Sequence, residues 1–408
     1  MKFFHKLFGG GTPKREEDRF AELLLRALKK AAPSFVAGYD PVAFEIGRGQ
    51  GDHPHKTFLH NSFIEYQRLP AEDRGGHIAN MVGFILDREK PQPRGDAALD
   101  MLLPVLRARA DMLVATAGIS GDFPHQNSAR PFCDTMLLML ALDSPNSISL
   151  VTDELLAELG VSFDDALGLA VAHLDEREHK FGPLAEGTFV SLCQDYYDAS
   201  RILLPDLIAQ LPVKGNPVAI VESRSAVLVT GSEDLDGLRM IAEYAWQDFP
   251  ENERAVSLTP IEYQDGAWRV FPVHQDHPQA LRNLVQYQRT WSYGASAETL
   301  QERLGDDLYV AGVILLEQDG IAATAASWAN GVPTACPLVD ALIIEGDGEF
   351  PEIMRRLADV ARACGPFDGV EEMPYPPRLS LPAAPDREAR RRLTDEYPDY
   401  APFGEQQG

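Results

Sequence analysis

The fold is decided by two stretches of the chain, PVAIVESRSAVLVTG (217–231) and AVSLTPIEYQDGAWRVFPV (255–273). Both are rich in the β-branched and aromatic residues that favour strands, and each is interrupted by a short polar turn. In the second stretch the turn is Asp265-Gly266, a strong signal for a tight hairpin. Between the stretches, Leu235–Phe249 carries apolar residues at helical spacing. The order strand–strand–helix–strand–strand predicts an antiparallel sheet covered on one face by a helix.

A similar order of elements returns in residues 308–365. Two β-rich runs, LYVAGVILL and IAATAASWA, flank Asp319-Gly320, and a third, PLVDALIIE, follows them. The next segment, PEIMRRLADVARACG (351–365), has the pattern of a helix. We therefore predict an α+β fold: antiparallel sheets with helices packed on one face, plus a smaller C-terminal α+β unit. Asp265-Gly266 and Asp319-Gly320 should both be hairpin tips, in two separate antiparallel sheets or at the two ends of one.

Changes of composition divide the chain into parts. The Pro- and charge-rich DREKPQPRGD (87–96) is the first credible hinge. Elsewhere, Thr152 and Ser162 are placed as N-caps of two consecutive helices, and Gly160 ends the first of these helices. The tail carries at most a short helix, near Arg387–Leu393. The predicted parts are a flexible leader (1–18), an α+β region that includes the hinge (19–277), a C-terminal α+β unit (278–380) and a mobile charged tail (381–408).

The chain is strongly acidic, with 62 Asp and Glu against 37 Lys and Arg and a formal net charge of -25 at pH 7. Nucleic-acid affinity depends on cationic contacts to phosphates, so we do not expect a nucleic-acid partner. No apolar run approaches the ~20 residues of a membrane span, and the opening MKFFHKLFGGG is too short for a signal peptide. We therefore expect a soluble, cytoplasmic protein.

The chain lacks the short motifs that carry common reactions. It contains no P-loop, H-E-x-x-H, G-x-S-x-G or protein-kinase loop set, and its four cysteines have no close pair. His53, His55 and His60 could begin a metal site, because imidazoles two residues apart on a strand share a face. A polar loop with incidental histidines is the alternative. We predict no catalytic residues, no cofactor and no metal.

The polar segment DYYDASRIL (195–203) is the most informative one in the chain. Asp198 is placed as the N-cap of a helix that starts at Ala199 and has Pro205 roughly two turns further in. Free N–H groups with Ser200 and Arg201 in the first turn would suit an anion. The candidate binding residues are Asp195, Tyr197, Asp198, Ser200 and Arg201. The alternative is structural: a capped helix whose Arg201 pairs with a carboxylate inside the protein.

Two functions follow from these observations. The first is a non-catalytic module that binds a partner protein or a small molecule near the start of this helix. The alternative is a hydrolase or transferase whose polar site contains Asp198, Ser200 and Arg201. Loss of activity on generic ester, phosphate or peptide substrates in Ser200→Ala would distinguish the enzyme from the binding module.

The run YDASRIL (197–203) also resembles the signature of the YtpQ-like family of bacterial proteins, a domain family of unknown function. The resemblance covers about residues 19–275, and it implies a soluble bacterial α+β fold without an established activity or catalytic residues. The part after about residue 278 lies outside it. Looser similarity lies in PSFVAGYD (33–40), LHNSFIEYQRLPAEDR (59–74), LLPVLRAR (102–109) and LMLALDSPNSISLVTDELLAELG (138–160).

Overall fold

The computed structural model describes residues 15–48, 55–87, 93–112, 128–249, 252, 254–370 and 375–403. Its contacts group the chain into two units. The first contains the residues up to Met101 together with Leu142–Ser149, and the second contains Leu102–Ala141 and the chain from Leu150 onward. The division therefore falls at Met101, whereas the sequence favoured a hinge at 87–96 and a boundary after 277. In the described part of the chain, no helix combines the length and the apolar character needed to cross a membrane.

The first unit packs helices against a small antiparallel sheet. Its core includes Phe20, Leu24, Ile46 and Phe63, whose side chains are buried. The first helix begins with acidic residues and ends with lysines, an arrangement that suits the helix dipole. The elements are α1 (Glu16–Ala31), β1 (Gly38–Asp40), β2 (Glu45–Arg48), β3 (His55–Phe58), α2 (His60–Arg68), α3 (Arg74–Asp87) and α4 (Asp96–Leu99).

The second unit opens with a small sheet and two helices. The predicted N-caps are confirmed: the Thr152 hydroxyl accepts from Leu155 N–H at 3.2 Å, and the Ser162 hydroxyl accepts from Asp165 N–H at 3.1 Å. Gly160 ends the first helix in the left-handed conformation, with φ at 69°. The elements in this stretch of the chain are β4 (Leu102–Ala108), β5 (Ala129–Phe132), β6 (Met136–Ser144), β7 (Ser147–Leu150), α5 (Asp153–Leu159) and α6 (Phe163–Asp175). The end of β6 and most of β7 fall in Leu142–Ser149, which is grouped with the first unit.

The antiparallel sheet predicted from residues 217–275 is confirmed, and two earlier strands, β8 (Phe181–Ala185) and β9 (Thr188–Ser191), extend it to six strands. Its strand order is β13-β12-β10-β11-β9-β8. Leu238 and Ile241 of helix α8 pack against Ile220 on one face, while Ala219 packs with Ile202 on the other. The elements are β8 (Phe181–Ala185), β9 (Thr188–Ser191), a 3-10 helix (Ala199–Leu203), α7 (Pro205–Ala209), β10 (Pro217–Ser223), β11 (Ala226–Gly231), α8 (Leu235–Asp248), β12 (Ile261–Gln264) and β13 (Ala267–Val270).

Both predicted hairpin tips are confirmed, and they lie in separate sheets. Asp265 and Gly266 join β12 to β13, with φ at 52° and 80°. Asp319 and Gly320 join β15 (Ile314–Gln318) to β16 (Ile321–Trp328), with φ at 52° and 75°. Positive φ at both central positions is what a type I′ turn requires, and Asp-Gly adopts it readily.

The C-terminal part differs from the prediction in three respects. Its four-stranded sheet is mixed, because β16 and β18 run parallel. The first half of PEIMRRLADVARACG is a strand, β19, that pairs with β18, so the predicted helix is wrong there. The tail, expected to be mobile with a short helix near Arg387–Leu393, does contain that helix as α11 (Arg387–Asp395), but the helix is packed, with Leu393 fully buried. The remaining elements are β14 (Tyr309–Val310), β17 (Thr334–Pro337), β18 (Ala341–Ile344), β19 (Ile353–Arg356), α10 (Leu357–Cys364), β20 (Arg378–Leu381) and α11 (Arg387–Asp395).

The sequence did not predict the longest helix, α9 (Gln279–Leu304). Its buried polar side chains bond to both large sheets or to the segments that lead into them. Gln288 Oε1 accepts from Leu258 N–H at 2.5 Å, ahead of β12. Asn283 Nδ2 donates to Gly320 O at 2.8 Å, and Asn283 Oδ1 accepts from Ala322 N–H at 3.0 Å. α9 is therefore packed between the two parts that the sequence had separated.

Candidate functional site

Within the segment 195–203, Ala199–Leu203 forms a short 3-10 helix instead of the predicted α-helix. Asp198 itself has helical dihedral angles, and its side chain makes no capping hydrogen bond to the helix. Asp198 therefore occupies the predicted N-cap position, directly before a helix that starts at Ala199, but its side chain does not act as the cap. Leu204 ends the 3-10 helix, and Pro205 occupies the first turn of the next helix, α7, where its missing N–H costs nothing. The expected helix with an internal proline is thus two short helices.

Arg201 is fully buried, and its guanidinium group is bound within the protein. It donates to both carboxylate oxygens of Asp195 at 2.8 Å and to Glu178 O at 2.7 Å. Burial alone would lower the pKa of Arg201, but the hydrogen bonds to Asp195 outweigh it and raise the pKa. Burial likewise acts to raise the pKa of Asp195, and the bonds from Arg201 and from Tyr197 N–H reverse the direction. This is the internal pairing that the structural alternative described.

Asp198 and Ser200 are also buried, with exposed fractions of 0% and 1%. Asp198 Oδ1 accepts from Cys193 N–H at 3.0 Å. Its Oδ2 is buried without a hydrogen bond of good geometry, although the Ser191 hydroxyl is near enough to act on the carboxyl. Burial raises the pKa of Asp198, and the Cys193 and Ser191 contacts oppose that shift. A ligand cannot touch these side chains in this conformation, and their binding role stays a prediction.

Because its folded pKa is raised, Asp198 binds a proton more tightly in the native state than in the unfolded state. The contribution of Asp198 to the free energy of unfolding therefore falls as the pH rises above about 4, the ordinary pKa of a carboxyl group. We expect the free energy of unfolding of Asp198→Asn, measured relative to the wild type, to be higher at about pH 7 than at about pH 4. Urea unfolding at both pH values measures the difference. The exposed Asp206→Asn is the control for loss of one charge, and an equal gain there would contradict the assignment to Asp198.

Arginines gather beside Tyr196 and Tyr197. Arg107 on β4 is buried, and burial together with the charge of nearby Arg224 lowers its pKa to about 9. The Arg254 guanidinium lies over the Tyr196 ring at 4.4 Å. Sequence reasoning missed this group because its members come from distant segments. Neither Arg107 nor Arg254 is among the described residues that line the aromatic pocket between α8 and α9.

The second unit contains a pocket of about 430 Å³ between α8 and α9. Its walls are largely aromatic. Trp246 stacks on Tyr287 with ring centroids 3.7 Å apart and planes inclined by 14°, and Phe249 meets Trp291 edge to face at 5.0 Å. Trp246, Tyr287 and Trp291 remain half-buried, so parts of their rings face the pocket. The other described lining residues are Asp111, Asn252, Ala255, Thr290 and Leu315.

Polar groups of the pocket are held by neighbours. The Tyr287 hydroxyl donates to Glu317 Oε1 at 2.6 Å, and the Thr290 hydroxyl donates to Gln286 O at 2.9 Å. Burial, followed by the bond to Glu317, raises the pKa of Tyr287, so this hydroxyl keeps its proton at neutral pH. Asp111 is exposed where it lines the pocket, yet shielding by the surrounding protein raises its pKa, against the opposing charge of Arg224.

No family model, curated protein or solved structure matches the chain. The resemblance to the YtpQ-like family stays a prediction. The geometry of the described residues is therefore the basis for a function.

Sequence reasoning placed Trp246 and Phe249 in the predicted helix Leu235–Phe249 and singled out none of these aromatic residues as part of a site. A usable signal was present: Trp246 and Phe249 are three apart, and Tyr287 and Trp291 are four apart, so each pair shares a helix face.

The histidine alternative stays open. His55 lies in β3 and His60 begins α2, while His53 is outside the described residues. Across the part of the chain that the structure describes, no three His, Cys, Asp or Glu side chains are grouped to hold a metal.

Proposed function

We propose that the protein is a ligand-binding module whose ligand is a small, flat organic molecule held in the pocket between α8 and α9. The observation that carries the proposal is the pocket itself, with its stacked pair Trp246 and Tyr287. Its volume of about 430 Å³ falls within the ~300–1,000 Å³ usual for small-molecule sites. Such sites are lined mainly by aromatic and apolar side chains with a few placed polar groups, as here.

Packing favours the pocket over the segment 195–203 as the place of binding. The pocket presents half-buried aromatic rings to an incoming molecule. In the segment, the side chains of Asp198, Ser200 and Arg201 are all at most 1% exposed. Aromatic rings held by neighbouring helices are also rigid, so binding costs little conformational entropy.

Filling the pocket tests the proposal. Thr290 is half-buried on α9, and its hydroxyl bonds only back to the previous helical turn, so Thr290→Trp should occupy the pocket with little damage to the helix. We expect wild-type protein to bind at least one of a panel of bicyclic aromatic metabolites and to melt at a higher temperature with it. The filled variant should lose this shift.

Tyr244→Trp is the matched control, because Tyr244 is exposed on α8 and is not among the described lining residues. It should keep the ligand-induced shift, which thermal unfolding and isothermal titration calorimetry both measure. Equal binding by wild type and Thr290→Trp would place the ligand elsewhere. Failure of the whole panel to bind wild type would count against a flat aromatic ligand.

A further inference from the structure

We propose that the pocket between α8 and α9 selects a cationic ligand, an ammonium group carried on a flat aromatic body, with Asp111 as its counter-charge. This inference rests on the proposed function and specifies its ligand class. Among the residues the structure describes, Asp111 is the one ionisable carboxylate that lines the pocket.

The hydroxyl groups of the pocket offer lone pairs and no free protons. Tyr287 donates its hydroxyl proton to Glu317, and Thr290 donates its proton to Gln286 O. A hydroxyl has one donor and two acceptor positions, so each oxygen can still accept a hydrogen bond. Asn252 donates one amide N–H to Glu222 Oε1 at 2.8 Å, and its side-chain oxygen accepts a hydrogen bond from Arg254 N–H. An ammonium group carries only donors and therefore complements the hydroxyl oxygens, whereas the second amide N–H of Asn252 and the indole N–H groups of Trp246 and Trp291 are donors that suit an acceptor elsewhere on the ligand.

The aromatic walls favour the same charge. A cation near the face of a tryptophan or tyrosine ring is attracted by the negative face of the ring, most strongly by tryptophan. Trp246, Tyr287 and Trp291 line one pocket, and Trp246 and Tyr287 each cover one face of the other, so a cation would meet the second face of either ring or the ring of Trp291. The chain as a whole is acidic, with a net charge of -25, which raises the local concentration of cations.

Asp111 lines the pocket beside the aromatic walls, and Arg224 is the charged group that acts on its carboxyl. Its pKa is raised by the surrounding protein, and Arg224 offsets this shift only in part. A ligand ammonium beside the carboxylate would stabilise its ionised form. The nearby arginines favour the opposite outcome, an anionic ligand. Arg254 lies over the Tyr196 ring and Arg107 donates to Leu106 O, whereas the charge of Arg224 acts on Asp111 itself, so the probes below include an anion.

Three probes of one shape separate these alternatives: tryptamine, tryptophol and indole-3-acetate, which share an indole ring and a two-carbon chain and differ in charge. Calorimetry on the full chain at neutral pH and moderate salt should show tryptamine binding at least tenfold more tightly than tryptophol, and indole-3-acetate binding most weakly. Asp111→Asn should reduce tryptamine to the level of tryptophol and leave tryptophol unchanged. Asp236→Asn removes a charge that is 94% exposed on α8, and it should keep the preference.

Each result decides the matter. Equal or tighter binding of tryptophol or indole-3-acetate overturns the cationic preference and leaves the proposed function standing. A preference that survives in Asp111→Asn overturns the role of Asp111. If none of the three probes binds the wild type, both the cationic preference and the proposed aromatic ligand are rejected.

Discussion

Replacement of Arg201 by alanine is expected to lower the free energy of unfolding by about 3 kcal/mol. Arg201 is fully buried and makes two hydrogen bonds to Asp195 and one to Glu178 O. Removing one partner of a buried ion pair typically costs about 3–5 kcal/mol, since the other charge is left uncompensated. Asp195 keeps 29% exposure and can be hydrated, so we expect the lower end of this range. The melting temperature should fall by roughly 3–5 °C, because the shift produced by a given change in free energy shrinks as the unfolding unit becomes larger.

Two comparisons make the Arg201 result specific. Arg201→Lys keeps the charge but cannot form the paired bonds to both carboxylate oxygens, so its stability should be intermediate. Arg239→Ala removes an exposed arginine that pairs with Glu243 on α8, and it should cost at most about 0.5 kcal/mol. Urea unfolding followed by circular dichroism measures all three. If Arg201→Ala unfolds at the same urea concentration as the wild type, Arg201 is not a structural partner. The segment 195–203 would then again be a candidate binding site.

Replacement of Gly231 by alanine is expected to be at least as damaging. A Cβ atom at Gly231 would lie 1.9 Å from Lys214 O and 2.5 Å from Lys214 N. These are backbone atoms of the segment that crosses the end of β11, and they cannot turn away as a side chain can. Overpacking usually costs about 1–3 kcal/mol, and a backbone obstacle puts this position at or above the upper end.

Gly168→Ala is the matched control for Gly231→Ala. Gly168 lies exposed within α6, and a Cβ there meets nothing within 4 Å. Alanine in a helix interior is favoured over glycine by about 0.5–1 kcal/mol, so this variant should be more stable than the wild type. In urea unfolding, Gly231→Ala should lower the free energy of unfolding and Gly168→Ala should raise it. A Gly231→Ala protein as stable as the wild type would show that the Lys214 segment moves freely.

The sequence predicted those parts of the fold whose chemistry is local. Asp265-Gly266 and Asp319-Gly320 favour one turn type whatever surrounds them, and the caps at Thr152 and Ser162 need only the next three residues. The strand β19 was missed because it forms by pairing with β18, and a short run of mixed apolar and charged residues does not reveal that partner.

The candidate site was harder to predict because tertiary contacts create it. Asp198 fits an N-cap by position, yet its carboxylate bonds to Cys193 N–H in a turn that no local pattern encodes. Helix α9 was missed because polar residues such as Asn283 and Gln288 occupy buried positions and obscure the apolar period. The pocket depends on α9, and Asp111 reaches it from a segment more than a hundred residues earlier.

Helix α9 forms hydrogen bonds with both large sheets or the segments that lead into them, and this limits where the chain can be divided. Gln288 accepts a hydrogen bond from the segment before β12, while Asn283 bonds to the hairpin of β15 and β16. The two residues are only five positions apart on the same helix. A break after residue 277 would leave the N-terminal fragment without a cover for Leu258 and the C-terminal fragment with an unsatisfied amide and an exposed helix face. We therefore expect the two sheets to unfold together, and we expect neither half to stay folded when it is expressed without the other.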